Sequence, residues 1–300
     1  MPERCVSGNA TAKNGHKTNT LRRGTLTSVE KGRAMQTGDN ISSVQTRDRW
    51  SGDAAHVSLL RPERRARPAD LAAQPQDLTL DLARTALVIV DMQNDFLHPE
   101  GWFAADRGQE TAALAALAGP INALSEAARA AGVPVIHLNW GVRADTANLP
   151  PNVLDKASGC GAHRGYGDPA PRGPVLVAGS WGAASIEAIR SAPGDIHVAK
   201  HRLSGFRDNE FDQILRRLEV TTLIYTGVNL DRCVFATLTD GCFQGYDAVL
   251  VEDACGTPSP AHVRDAILYL TRLLYGFTTS VAALSAALAT SSPPSQNKET

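Results

Sequence analysis

Three residues of this chain combine reactive chemistry with a telling position. Asp91 closes the apolar run ALVIVD, Lys200 closes DIHVAK, and Cys233 follows TTLIYT at the start of a helical stretch. A thiol that attacks a carbonyl needs a base to take its proton and a cation to balance the charge that develops, and these three side chains supply that set. A helix N-terminus and a nearby ammonium would both favour the thiolate. Acyl transfer at a carbonyl is the chemistry such a group performs, provided backbone N–H groups face the oxyanion. Singly, each residue has an ordinary explanation: a turn-capping Asp, a Lys reaching to solvent, a Cys packed as a small hydrophobe. Their shared place at strand ends is what joins them.

The elements that must position them read clearly. Ala86 to Asp91, Val133 to Asn139, Asp195 to Lys200, Thr221 to Thr226 and Ala248 to Asp253 are short runs that are mostly apolar without alternation, as strands covered on both faces are. A short sixth strand is expected near Gly276 to Thr279. Helical stretches lie between them at Glu110 to Ala131, Asn209 to Leu218, Arg232 to Gln244 and Pro260 to Tyr275. The alternation predicts right-handed crossovers and an α/β fold: a three-layer α/β/α, doubly wound, mostly parallel sheet of about six strands. Sites in such sheets form beyond the carboxyl ends of the strands, where Asp91, Lys200 and Cys233 fall. The Gly-, Pro- and Asn-rich stretch from Gly141 to Ser180 is too long for a plain connection and is expected to cover the substrate.

Other chemistries find little support. TGVNLDRC has one glycine and is neither a dinucleotide fingerprint nor a phosphate loop. Ser180 in AGSWG lacks the first glycine of a nucleophile elbow. The histidines show no HxH spacing, and the one HxxxH pair, His197 and His201, straddles the end of a candidate strand rather than lying on a helix face, so only a distant set such as His98, His137, His163 and His201 could gather round a metal. The five cysteines form no CxxC pair, which argues against a disulfide framework and a structural zinc site.

Residues 1–70 hold 13 Lys or Arg against 7 Asp or Glu, with aliphatic residues scattered without period. The formal net charge of -1 therefore hides a basic arm on an acidic body. Residues 1–78 are expected to be a disordered basic extension, 79–290 the folded domain and 291–300 a disordered tail. The arm's charges are spread rather than clustered, so neither nucleic acid nor a membrane is expected as a partner. No secretory signal or membrane-spanning run is visible, and a cytoplasmic location is expected.

The motifs LVIVDMQNDF around Asp91, VAKHRLSGF around Lys200 and TGVNLDRCVFATLTDGCFQGYDAVLVEDACG around Cys233 occur in this order. Over roughly residues 80 to 288 the chain thereby resembles the isochorismatase-like cysteine hydrolases. That family includes nicotinamidases and N-carbamoylsarcosine, ureidoacrylate and biuret amidohydrolases. The resemblance implies the isochorismatase-like hydrolase fold, with Asp91, Lys200 and Cys233 as the catalytic group. It further implies a non-proline cis peptide joining Val228 and Asn229, and an oxyanion hole formed by the backbone N–H groups of Asn229 and Cys233. A dimer or tetramer is the family habit.

The chain departs from the pattern in two places. Where members often read G-V-A-T-[ND]-x-C, it carries Asn229 and Leu230 in place of the two small or hydroxyl residues. Where metal-binding nicotinamidases carry an Asp and histidines, it reads Leu138, Asn139, Trp140, Gly141, so neither zinc nor any other cofactor is expected. The expected reaction is cleavage of a C–N bond in a small linear amide or a ureido or carbamoyl compound through a thioester. Trp102, Phe103, Asn139 and Trp140 are candidate pocket walls, with Arg207 or Arg143 as partners for a substrate carboxylate. Two alternatives stay open on the same fold: a non-covalent vinyl-ether hydrolase in which Cys233 is incidental, and an inactive interaction module that recruits partners through the basic arm.

Overall fold

The computed structural model describes residues 50–61 and 63–290. The expectations for the first 49 residues and for the tail 291–300 lie outside the described residues. A two-residue ladder joins β1 (Ser51–Gly52) to β2 (Val57–Ser58). A hairpin of β3 (Pro68–Leu71) and β4 (Leu78–Asp81) follows, with Ala69, Leu71 and Leu80 buried. The expected boundary at residue 79 falls inside this hairpin. Its buried alternate residues, not the local charge, tie it to the body, and Gln74 pairs with Thr278 of the main sheet.

That sheet has six strands, all parallel: β5 (Thr85–Val90), β6 (Val135–Trp140), β7 (Ile196–Lys200), β8 (Thr222–Val228), β9 (Asp247–Gly256) and β10 (Phe277–Thr279). Their spatial order is β10-β9-β8-β5-β6-β7. The chain starts in the middle, grows outward through β6 and β7, then returns to β8 beside β5 and grows the other way. A topological switch point thus lies between β5 and β8, where open α/β sheets form their sites. Every residue of β5 and β8 is buried, as the non-alternating apolar runs require.

Gly227 makes the central pairing close. It sits at φ +105, and a Cβ there would lie 2.1 Å from the carbonyl oxygen of Val90. Only glycine takes that backbone conformation without cost while leaving room for β5.

The helices flanking the sheet are α1 (Asn94–Leu97), α2 (Trp102–Ala105), α3 (Ala112–Ala115), α4 (Ala118–Ala130), α5 (Pro151–Ser158), α6 (Phe211–Arg217), α7 (Phe235–Phe243), α8 (Ala261–Leu270) and α9 (Val281–Ala289). The single helix expected over 110–131 is two helices. Pro120 has no N–H for the carbonyl of Ala116, so α4 restarts at Ala118 with the proline in its first turn, where a missing donor costs nothing. Among the described residues no helix is long and apolar enough to cross a membrane.

Candidate active site

Asp91 lies one residue past β5, in the left-handed region at φ 50. A non-glycine residue there turns the chain sharply, and the turn aims the carboxylate across the ends of the neighbouring strands. Lys200 ends β7. Its Nζ stands 3.0 Å from Asp91 Oδ2, and neither side chain has any exposure. Cys233 lies in a π-helical turn, Leu230–Val234, that leads into α7, and its residue is 3% exposed. π-turns of this kind recur at functional sites. The peptide bond between Val228 and Asn229 is cis, as the resemblance implied.

Trp140, the last residue of β6, touches all three. Its backbone N–H donates to Asp91 Oδ1 at 3.1 Å, and its indole Nε1–H donates to Cys233 Sγ at 3.2 Å. Lys200 Nζ stands over its ring, 4.2 Å from the centroid. Gln93 holds this tryptophan in place. Its Oε1 accepts from Trp140 N at 2.8 Å, while its Nε2 donates to the carbonyls of Trp140 and Ala183, each at 2.7 Å. Gln93 carries no signal in the strand pattern because it follows β5 in a turn.

Charge in this cluster is set by burial. The Asp91 carboxyl is pushed above its ordinary range by desolvation, an effect that Lys200 and hydrogen bonds from Cys233 and Trp140 N–H partly offset. Desolvation and the Asp91 charge push the Cys233 thiol up to about 12, outweighing Lys200 and the indole donor. The helix start and the Lys200 cation, expected to favour the thiolate, do not compensate for full burial beside a carboxylate.

A cavity of about 400 Å³ opens over the sulfur, a size suited to a small molecule. Asn229 and Cys233 form part of its wall, together with Phe96, Trp102, Phe103 and Trp140. Three of the expected pocket residues are elsewhere. Asn139 points to the opposite face of β6 from Trp140 and donates to Ser185 Oγ at 3.1 Å. Arg207 is exposed and paired with Asp240 at 2.8 Å, and Arg143 is exposed and paired with Asp145.

Residues that sequence reasoning missed complete the cavity. Tyr166 stacks on Trp140 with ring centroids 4.5 Å apart and packs at a tilt against Trp102 at 5.5 Å. Arg107, Arg232 and Lys156 bring positive charge to the wall. The stretch 141–180 does cover the site, through α5 and Tyr166. It is strapped down by the turn after β5. Asp95 accepts from Leu176 N at 2.8 Å and from Trp102 N at 3.2 Å, and Asn94 Nδ2 donates to Trp181 O at 2.8 Å. Gly182 lets that carboxylate approach, since a Cβ there would lie 1.9 Å from Asp95 Oδ2.

Among the described residues no three His, Cys, Asp or Glu side chains are grouped to hold a metal ion. His137 instead contacts Asp195 at 3.0 Å inside the sheet layer and stacks on His197.

Fold and site together place the molecule among the isochorismatase-like α/β hydrolases. The Isochorismatase domain model matches residues 85–283. The chain belongs to that family. It is 35% identical over 219 residues to the ureidoacrylate amidohydrolase RutB of Azorhizobium caulinodans, covering 71% of this chain and 93% of that one. A cysteine hydrolase from Pseudomonas syringae pv. phaseolicola 1448A superposes with a TM-score of 0.60 at 26% identity, covering 70% of this chain and 94% of the other. The N-carbamoylsarcosine amidase of Thermoplasma acidophilum superposes with a TM-score of 0.52 at 27% identity, covering 66% and 96%.

Proposed function

We propose that this chain is a cysteine amidohydrolase that cleaves the C–N bond of a small linear ureido or carbamoyl compound through a thioester. The observation that carries this reading is the contact of one thiol with a buried carboxylate that is itself paired to a buried ammonium. The amide-cleaving names of RutB and N-carbamoylsarcosine amidase agree with it.

Each step is assigned to a residue. Asp91 takes the thiol proton as Cys233 Sγ bonds to the carbonyl carbon, and the oxygen becomes an anion facing the backbone N–H groups of Asn229 and Cys233. On collapse the C–N bond breaks, and Asp91 returns the proton to the departing nitrogen. Water then gives a proton to Asp91 and adds to the thioester. The second collapse breaks the C–S bond, and the sulfur recovers its proton from Asp91. Lys200 keeps the carboxylate's charge compensated throughout, so the cluster cycles without a net buried charge.

The raised Asp91 suits this double duty, because a base with a higher pKa takes the thiol proton more readily. Asn229 supports a ureide in particular. Its side-chain Oδ1 is buried beside the cavity without a hydrogen-bond partner, and an N–H of the substrate would satisfy it.

The test is ammonia release from a panel of ureido acids, carbamoyl amines and simple amides. Wild type is expected to act on at least one ureide, and Cys233→Ala to lose activity by a factor on the order of 10⁴ or more. Full activity in Cys233→Ala would end the proposal.

A further inference from the structure

Arg107 presents an anomaly that the reaction steps leave unused. Its Nε and Nη2 are buried and have no hydrogen-bond partner, although a buried guanidinium without one carries a full desolvation cost. The carboxylate next to it in sequence is already committed: Asp106 accepts from Arg164 Nη1 at 2.9 Å and from Arg164 N at 3.0 Å. The guanidinium is nevertheless held firmly, 4.5 Å over the ring of Trp102. The indole N–H of Trp102 is fixed in turn to Arg164 O at 2.8 Å.

The surroundings repeat the sign. Arg232 lines the same cavity; its Nε stands 3.7 Å from Asp231 Oδ2, a carboxylate that also accepts from Thr257 Oγ1 at 2.5 Å and Ser259 Oγ at 2.7 Å. Lys156 of α5 adds a third cation on the covering side. No carboxylate is among the residues that line this space. A cavity whose wall carries three cationic side chains and no carboxylate, one of them an arginine whose donors are incompletely paired, is complementary to an anion on its ligand.

We propose that Arg107 is a specificity-determining residue that binds a carboxylate carried by the substrate, with Arg232 and Lys156 supplying the surrounding positive potential. The substrate class is then a ureido acid, in which Cys233 meets the carbamoyl carbon and Arg107 the acid end. This assignment rests on the amidohydrolase reading for its turnover assay but not for its binding assay.

The experiment compares 3-ureidopropionate with propylurea, which lacks the carboxylate. Wild type is expected to prefer the acid in kcat/KM, and R107Q to reduce that preference by about 10- to 150-fold, mainly through KM, as loss of hydrogen bonds to a charged group does. R107K, which keeps charge but not the fork, falls between. An unchanged preference in R107Q overturns the proposal, as does a wild type that favours propylurea. Calorimetry on Cys233→Ala reads the subsite without turnover. There 3-ureidopropionate is expected to bind at least tenfold more tightly than propylurea and to lose that advantage on adding R107Q. If wild type hydrolyses neither compound while this binding difference stands, the reaction assignment fails and the anion subsite survives. Equal binding of the two compounds rejects the subsite whatever the turnover.

Discussion

The indole N–H of Trp140 donates to Cys233 Sγ at 3.2 Å while the ring of the same side chain carries the Lys200 ammonium. A sulfur that becomes charged gains more from that donor than a neutral thiol does. Trp140→Phe keeps a ring under Lys200 and removes the donor. The expected result is a kcat lower by about 10- to 100-fold with a stable fold, read by steady-state kinetics and thermal melting. An unchanged kcat would mean the N–H does not act on the sulfur.

Because burial and Asp91 hold the thiol up to about 12, resting Cys233 should behave as a protonated thiol at neutral pH. Its alkylation by iodoacetamide is expected to keep rising past pH 9, with no plateau near neutrality. Asp91→Asn removes the charge that raises the thiol and leaves Lys200 uncompensated. That variant should alkylate faster than wild type at pH 8 while losing about 10²- to 10⁴-fold in turnover. Slower alkylation would contradict the electrostatic account.

The acid limb of kcat/KM should report Asp91, with its midpoint above the ordinary aspartate value of 3.8, since burial raises the group. The same shift fixes a sign for stability. A folded-state pKa raised above the unfolded value contributes stability that is fully present below the unfolded pKa and lost as pH rises through the folded one. Wild-type stability relative to Asp91→Asn should therefore increase on acidification toward about pH 4, measured by urea unfolding at each pH. A difference independent of pH would refute the shift.

Lys200→Met leaves Asp91 as a buried charge without its partner. Such removal typically costs about 3 to 5 kcal/mol. The loss should be largest at neutral pH and shrink on acidification as Asp91 takes up a proton, a dependence that paired denaturation curves resolve.

Asp95→Ala should loosen the cover without touching the sulfur. It deletes the acceptor for Leu176 N and Trp102 N, for a cost of about 1 to 3 kcal/mol. Faster proteolysis within residues 141–180 and a raised KM are expected. Unaltered cleavage would show that the strap lies elsewhere.

Position along strands made Asp91, Lys200 and Cys233 legible, since parallel sheets put chemistry at carboxyl ends and the apolar runs mark those ends. The same parity could have separated Trp140 from Asn139, because neighbours on a strand face opposite ways. Arg207 and Arg143 were unreadable because their partners, Asp240 and Asp145, are matters of surface geometry. Tyr166 and Arg107 come from irregular chain, where no period says which way a side chain points. The direction of the thiol's shift needed a measure of burial, and charge pattern alone gives none.

The order in which the sheet is laid down has a final consequence. Asp91, Trp140 and Lys200 come from the half that spreads one way from the centre, whereas Asn229 and Cys233 come from the half that spreads the other way. No contiguous fragment owns the reaction. Turnover is thus an all-or-none signal that both wings have zipped together, and a nick between Lys200 and Thr222 would make two silent pieces whose reunion alone restores it.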